Sequence, residues 1–404
     1  MSRRDPVARW ENRLLRAAHP VAFPLVRLVG RAGPQVRVPG VGTVVSDPVA
    51  ARSILLDTDD YRKDGPGSSG ALWTPILGPT VLLNMEGEGH RQLRRKLVPL
   101  FTRVNAESMC ARVLTPLVDE AVKRLASGEA VDLVPLTRAA AGAVIGEILG
   151  LPPGGTAQDL ELFERGEQIT SMVTLRTKEF SPRQVARAKE VLGELVEAAG
   201  RAYDDGSPDT VAGRMRELGL SRAEALGAAA AFLLTGTETI ATTVPRLFAI
   251  WQDSGLLDPG AARAGGAVTE TNLDAAIDEA MRVMSPSPAM LRRKTDSGAR
   301  YLIATLNCTR SYGPFDPAVA RGERPAPDPQ RLWFGAGPHY CVGAPLALAE
   351  IRTLTRGLLA AGPLRVAARR VSRSVLIPAY AKLELARTGS ARLPDDRMLE
   401  DASC

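Results

Sequence analysis

An apolar run from Ala225 to Leu234 leads directly into Thr235-Gly236-Thr237-Glu238-Thr239, and few folds accommodate that junction. The run is rich in helix formers but too short to cross a bilayer, which takes about 20 apolar residues. It therefore reads as the core helix of a soluble protein. An acid and hydroxyls inside such a helix are costly unless they find partners, so something polar must lie beside them. Gly236 weakens a helix by about 1 kcal/mol relative to Ala, and a threonine can hydrogen-bond the carbonyl one turn back. The expectation is a local opening or a π-like bulge that makes a groove. On these residues alone, a kinked core helix with satisfied polar groups is the simpler account.

A chain of 404 residues can bury a large core, and no linker divides it. The expected organisation is a single domain over 1–404, with a polar, disordered tail over 389–404. The pattern from His90 to about Ile250 is mostly helical, interrupted at 152–155 and 204–208. Val36-Arg37-Val38 and Thr43-Val44-Val45 around Pro39-Gly40-Val41-Gly42 predict a short hairpin, and Asp47-Pro48 opens a helix. Strands are expected at 300–306 and 382–386. The fold class is therefore mainly α with a small β-rich part. Cys110, Cys308, Cys341 and Cys404 lie far apart without a Cys-x-x-Cys pair, which excludes a zinc site or disulfide framework and points to a reducing, cytoplasmic setting. The N-terminal apolar stretches are broken by Pro20, Pro24 and Arg27, so neither a signal peptide nor a membrane anchor is expected. A net charge of +6 is spread along the chain without a concentrated tract, which gives nucleic-acid binding little support.

The chemistry is concentrated in Phe334-Gly335-Ala336-Gly337-Pro338-His339-Tyr340-Cys341-Val342-Gly343, a glycine-rich loop that sets one cysteine just before a helix-forming run. Glycine allows tight turns and lets a flat ligand approach the main chain. Backbone N–H groups at the helix start would face the sulfur and favour a thiolate, a ligand suited to iron. An isolated cysteine in a turn is more often a small buried hydrophobe, but the ordered Phe-Gly-x-Gly-x-His-x-Cys-x-Gly pattern is far more specific. It resembles the haem-ligand loop of the cytochrome P450 family.

That resemblance implies a P450-like fold binding haem b, with Cys341 as the axial thiolate and Phe334, Gly335 and Gly343 shaping the cradle. Gly236, Glu238 and Thr239 match the acid–alcohol motif of the family's long central helix, so Glu238 and Thr239 would deliver protons through water during oxygen activation. His90 and Arg94, one helical turn apart, match a His-x-x-x-Arg motif; with Arg292 and His339 they would bind the haem propionates. Glu279 and Arg282 match the Glu-x-x-Arg pair, and Arg324 the third member of a buried trio that supports the cysteine loop. Without the resemblance, an acid–base pair at that spacing is a surface contact contributing a few tenths of a kcal/mol.

The motifs run from Met85 to Glu350. The sequence departs from the family between Arg292 and Arg310, where Lys294 to Arg300 passes directly to Tyr301 and a peripheral hairpin is missing, and at Thr309-Arg310-Ser311-Tyr312. The implied activity is a bacterial-type monooxygenase of secondary metabolism. It would use O2, electrons from a separate ferredoxin and ferredoxin reductase, and a small organic substrate, free or tethered to a carrier protein. Arg91, Arg95, Lys96 and Arg352 would form the basic docking face for the ferredoxin. Candidate substrate walls are 72–77, 169–175, 231–235, 287–290 and 376–379. Two alternatives are a haem-binding recruitment or scaffold protein, motivated by the missing hairpin, and a peroxide-using haem enzyme; the acid–alcohol pair speaks against both.

Overall fold

The computed structural model describes residues 5–174, 177–258, 266–328 and 330–389. The tail over 390–404 and Leu175 of one expected substrate wall lie outside these residues. In chain order, α1 (Pro6–Ala18) and α2 (Ala22–Ala32) precede the hairpin β1 (Gln35–Val38) and β2 (Gly42–Val45). Then come α3 (Pro48–Leu56), β3 (Tyr61–Arg62), α4 (Ser69–Leu77), α5 (Gly87–Leu97), α6 (Arg103–Ala126), β4 (Val131–Asp132), α7 (Leu133–Leu149), α8 (Gly155–Thr170), α9 (Pro182–Asp205), α10 (Val211–Glu217) and α11 (Arg222–Asp253). The remainder holds α12 (Leu273–Met284), β5 (Met290–Lys294), β6 (Arg300–Ile303), α13 (Thr305–Arg310), α14 (Pro317–Ala320), α15 (Ala344–Leu359), β7 (Leu364–Val371) and β8 (Tyr380–Arg387).

Local chemistry sets many of these boundaries. Asp47 caps α3 by accepting from the Ala50 N–H at 2.7 Å, with Pro48 at the first turn where no N–H is needed. Ser181 and Ser221 open α9 and α11 with reciprocal capping boxes to Gln184 and Glu224. The five-stranded sheet runs β1-β2-β6-β5-β3, all antiparallel except the β2–β6 pair, and a smaller antiparallel sheet runs β4-β8-β7. The shortened 294–300 stretch is the turn of the β5–β6 hairpin, and β6 then passes straight into α13.

Helix α11 is the axis of the core. By length and composition it could cross a membrane, but Leu247, Phe248, Ile250 and Trp251 are almost wholly buried inside the protein. Its neighbour α7 crosses α8 at Gly142, where a Cβ would fall 1.8 Å from the Asp159 carbonyl oxygen. Two features of α11 are costly in isolation and are matched elsewhere. Arg246, 1% exposed, pairs with buried Glu11 of α1 at 2.6 Å and donates to the Met284 carbonyl at 2.9 Å, which ties the N-terminal helix to the centre. Pro245 has no N–H to give the Ala241 carbonyl, and that oxygen accepts the Thr137 hydroxyl of α7 at 3.1 Å. The helix is thereby held to its neighbour by the bond its proline vacates.

This pairing gives a test. Thr137→Val should destabilise the protein by about 1–3 kcal/mol by leaving the Ala241 carbonyl buried and unpaired. In a Pro245→Ala background the new N–H can reach that carbonyl, and the penalty should fall by at least half. Denaturant unfolding of the four proteins measures the coupling; equal penalties in both backgrounds would show that the carbonyl is not the cause.

Candidate functional site

The cysteine loop is mounted from both sides. Upstream, buried Asp328 pairs with Arg52 of α3 and accepts the Leu332 N–H at 3.1 Å, which starts a 3₁₀ turn over Leu332–Phe334. Arg331 adopts φ 51°, and its guanidinium grips Asp278 of α12 through bonds of 2.7 to 3.1 Å. The Cys341 N–H then closes the loop onto the Phe334 carbonyl at 2.9 Å. Gly335 and Gly337 have φ of +82° and +65°, and at Gly337 a Cβ would also meet the Leu55 carbonyl oxygen at 2.9 Å. Gly343 differs: its φ is an ordinary −84°, so no backbone demand selects glycine there. A Cβ at that position would lie 3.9 Å from the Cys341 sulfur, and its absence keeps one flank of the sulfur open.

As expected from the sequence, the Gly343 and Ala344 N–H groups face the sulfur, and with the positive charge of Arg94 they pull the thiol toward ionisation. Burial outweighs them and raises the pKa. Cys341 nevertheless keeps accessible surface, so the sulfur is reachable but walled by protein. A metal cation at the sulfur would tip that balance to the thiolate. Cys110 and Cys308 are buried, and burial pushes the Cys308 thiol up to about 12 and Cys110 higher still.

Beside the cysteine the chain gathers cations with too few partners. The His90 and His339 rings lie 4.1 Å apart between centroids, and His339 Nε2 bonds Glu86 Oε2 at 2.6 Å. Burial, then the charges of His339 and Lys63, push His90 down to about 3. Arg292 is 6% exposed; it donates to the Leu291 carbonyl at 2.9 Å, but its Nε is buried without a partner, as is His339 Nδ1. Burial also pulls Arg94 down. Lys63, which the sequence reading did not single out, joins this group: burial and the charge of Arg292 push it down to about 7. Glu86 is the carboxylate bonded within this group, by His339 and by the Lys63 N–H at 2.7 Å, while Asp64, which also acts on Lys63 and His339, is taken by Arg62. An anionic group with two carboxylates and a thiolate-seeking metal, as haem is, fits this donor set. Cys341 would hold the iron, and Arg94, Arg292, His339 and Lys63 the carboxylates.

The polar stretch of α11 departs from expectation. No bulge forms; the helix is regular from Arg222 to Asp253. The hydroxyls satisfy themselves: Thr235 donates to the Ala231 carbonyl at 2.8 Å, Thr237 to Leu233, and Thr242 to Glu238 at 2.9 Å. Thr239 is the loosest, 3.4 Å from the Thr235 carbonyl. Gly236 has open space where a Cβ would stand. Glu238 accepts the Thr170 hydroxyl of α8 at 2.5 Å; its pKa is raised, first by burial and then by Glu167, against the opposing pull of Thr170 and Arg138. Several expected substrate walls do meet. Ile76, Leu77, Ile169, Ala231, Leu233 and Leu234 share one apolar cluster, with Trp73 packed edge-on against Phe180 beside it.

Glu279 and Arg282 form a buried pair at 2.6 Å. Arg282 also donates to the carbonyls of Thr309, Gly313 and Pro314, and Glu279 accepts the Asp316 N–H at 2.8 Å. The expected trio is corrected to this pair, because Arg324 is 69% exposed and bonds Asp316 at 3.3 Å. The Glu279 carboxylate is met by Arg282 and the Asp316 N–H instead. The basic docking face is also less bare than the sequence suggests: Arg91 and Arg95 share Glu88, Lys96 pairs with Glu224, and Arg352 with Asp274. Of the residues missed in sequence, Glu86 and Lys63 carry no motif, and Asp328 and Arg331 act only through distant partners.

No protein-family model matches the chain. It is 28% identical over 356 residues to a C-19 steroid 1alpha-hydroxylase of Sorangium cellulosum, covering 79% of this chain and 84% of that protein. It is 29% identical to the mycinamicin IV hydroxylase/epoxidase of Micromonospora griseorubida, over 69% of this chain and 71% of that one. Among solved structures, P450BioI in complex with an acyl carrier protein ligated to hexadec-9Z-enoic acid superposes with a TM-score of 0.73 at 18% identity, over 92% of this chain and 100% of that one. The fold is that of these structures, and with the loop around Cys341 and the curated relatives, the chain belongs to the cytochrome P450 family.

Proposed function

We infer that the protein is a haem-thiolate monooxygenase that inserts one oxygen atom from O2 into an organic small molecule of secondary metabolism. The observation that carries this reading is the gathering of donors beside Cys341, with the buried Arg292 Nε–H and His339 Nδ1 lacking any partner. Haem b is the proposed form of the cofactor, and when bound it supplies oxygen activation. The protein's own residues do the rest. Gly343 and Ala344 N–H groups hold the thiolate; Arg94, Arg292, His339 and Lys63 neutralise the propionates; the apolar cluster of α4, α8 and α11 orients substrate and excludes water. Glu238 passes protons to the Thr239 hydroxyl through water. Relatives named for steroid and macrolide hydroxylation, and a structural neighbour holding a carrier-bound fatty acid, support a bulky apolar substrate, free or carrier-tethered. Electrons come from a separate ferredoxin and its reductase in the cytoplasm, docked near α5 and Arg352 despite the local pairing of those cations.

Two outcomes test the site. The reduced protein with carbon monoxide should give the red-shifted Soret band of thiolate ligation; Cys341→Ser should abolish it, while Cys110→Ser and Cys308→Ser keep it. Arg292→Gln and His339→Asn should each weaken haem retention about 10- to 100-fold, the loss of one charge-assisted bond of about 1.5–3 kcal/mol. A Cys341→Ser protein that keeps the band would sink the ligand assignment.

The second concerns protons. A proton donor works in its protonated form and the Glu238 pKa is raised, so turnover should persist above the ordinary glutamate range and decline as pH rises through the raised value. The Thr170 hydroxyl lowers that pKa, so Thr170→Val should move this alkaline limb to higher pH and Thr170→Ser should leave it in place. Glu238→Gln should slow turnover ~10-fold or more, and Thr239→Ala should raise the peroxide released per electron consumed. An alkaline limb indifferent to Thr170→Val and Glu238→Gln removes the carboxyl from the mechanism.

A further inference from the structure

Helix α2 turns its apolar side outward. Val21, Pro24, Leu25, Leu28 and Ala32 recur at the three- and four-residue spacing of one helical face, and all are exposed, Val21 by 69%, Leu25 by 54% and Leu28 by 61%. The opposite side carries Phe23, packed with Leu15 and Leu306. Single exposed leucines need no explanation, but a continuous aliphatic stripe does. At 11 residues α2 is too short to cross a bilayer, yet long enough to lie along one.

The surrounding charge has one sign. Residues 12–46 contain Arg13, Arg16, Arg27, Arg31 and Arg37 and no aspartate or glutamate. Arg16, Arg31 and Arg37 are exposed and have no ion-pair partner among the described residues. Arg27 is pulled down by burial and then by the like charges of Arg31 and Arg16, so these three cations share one neighbourhood. We propose that α2 docks the protein on an anionic lipid surface, with Val21, Leu25 and Leu28 entering the headgroup boundary and Arg16 and Arg31 meeting the lipid phosphates. A bilayer offers the two things this face lacks, an apolar layer and a negative surface. A protein partner fits less well, because the stripe has neither the aromatic anchors nor the hydrogen-bonding side chains that concentrate at protein interfaces.

The test uses the full chain with haem bound and sedimentation with vesicles of phosphatidylcholine alone or mixed equally with phosphatidylglycerol. Binding should appear on the anionic vesicles and weaken with added salt. Leu25→Ser with Leu28→Ser should lower partitioning about tenfold or more; Arg16→Gln and Arg31→Gln should lower it about fivefold each. Val49→Ser, at an exposed site on α3, should change nothing. An unchanged haem spectrum and melting midpoint keep the comparison fair. Absence of binding to anionic vesicles overturns the proposal, whether the face is then covered by residues 390–404, a second copy or another protein. So does binding that ignores the α2 substitutions or occurs equally on neutral vesicles.

Discussion

One guanidinium fastens the segment over 309–316 to α12. Arg282 spends all five of its N–H donors: Nε and Nη2 on Glu279, Nη2 again on the Pro314 carbonyl, and Nη1 on those of Thr309 and Gly313. Glu279 returns an oxygen to the Asp316 N–H. A helix is thereby clamped to an irregular segment that could not otherwise satisfy its own carbonyls. Lysine could not substitute, since three donors from a point cannot span that arc of acceptors. Arg331, at the entrance to the cysteine loop, repeats the device on the neighbouring carboxylate of α12, Asp278.

Two buried charge systems contrast with each other, and the contrast separates structure from function. Around Glu11, the buried donors are matched with acceptors: Arg246 and Arg310 both reach its carboxylate, and spare donors find the Met284 and Val283 carbonyls. Around Cys341 they are not. Lys63 and Arg292 feel Glu86, Lys63 also Asp64, which is itself bonded by Arg62, and Arg94 faces the Cys341 sulfur; the buried Arg292 Nε–H and His339 Nδ1 go without partners. Unpaired buried charge costs several kcal/mol per ion. A sequence keeps such an arrangement where an anion completes it, and two carboxylates beside a thiolate-bound metal would do so.

The legible parts of this protein are those whose physics is local. The cysteine loop could be read because glycine, histidine and cysteine must follow one another in a fixed order, and helix starts at Asp47-Pro48 because a cap and its helix are adjacent. Strand β7, Leu364-Arg365-Val366-Ala367-Ala368-Arg369-Arg370-Val371, was not legible: its alanines and arginines favour a helix, and pairing with β8, not propensity, makes it a strand. The α11 bulge was expected from costs that the helix meets internally, threonine by threonine. Lys63, Glu86 and Asp328 act across gaps in sequence that no pattern marks, and Arg324 matched a motif but stands exposed, bonded to Asp316.

The Glu238–Thr170 bond connects the two halves of the site. Ile169, next to Thr170, belongs to the apolar cluster that also contains Ile76 and Leu234, so α8 contributes both to that cluster and to the carboxyl's partner. Moving α8 away would cost apolar contact and would also strip Glu238 of the strongest influence holding its pKa down. The carboxyl would then keep its proton to still higher pH. One hydroxyl therefore ties the position of α8 to the acidity of Glu238.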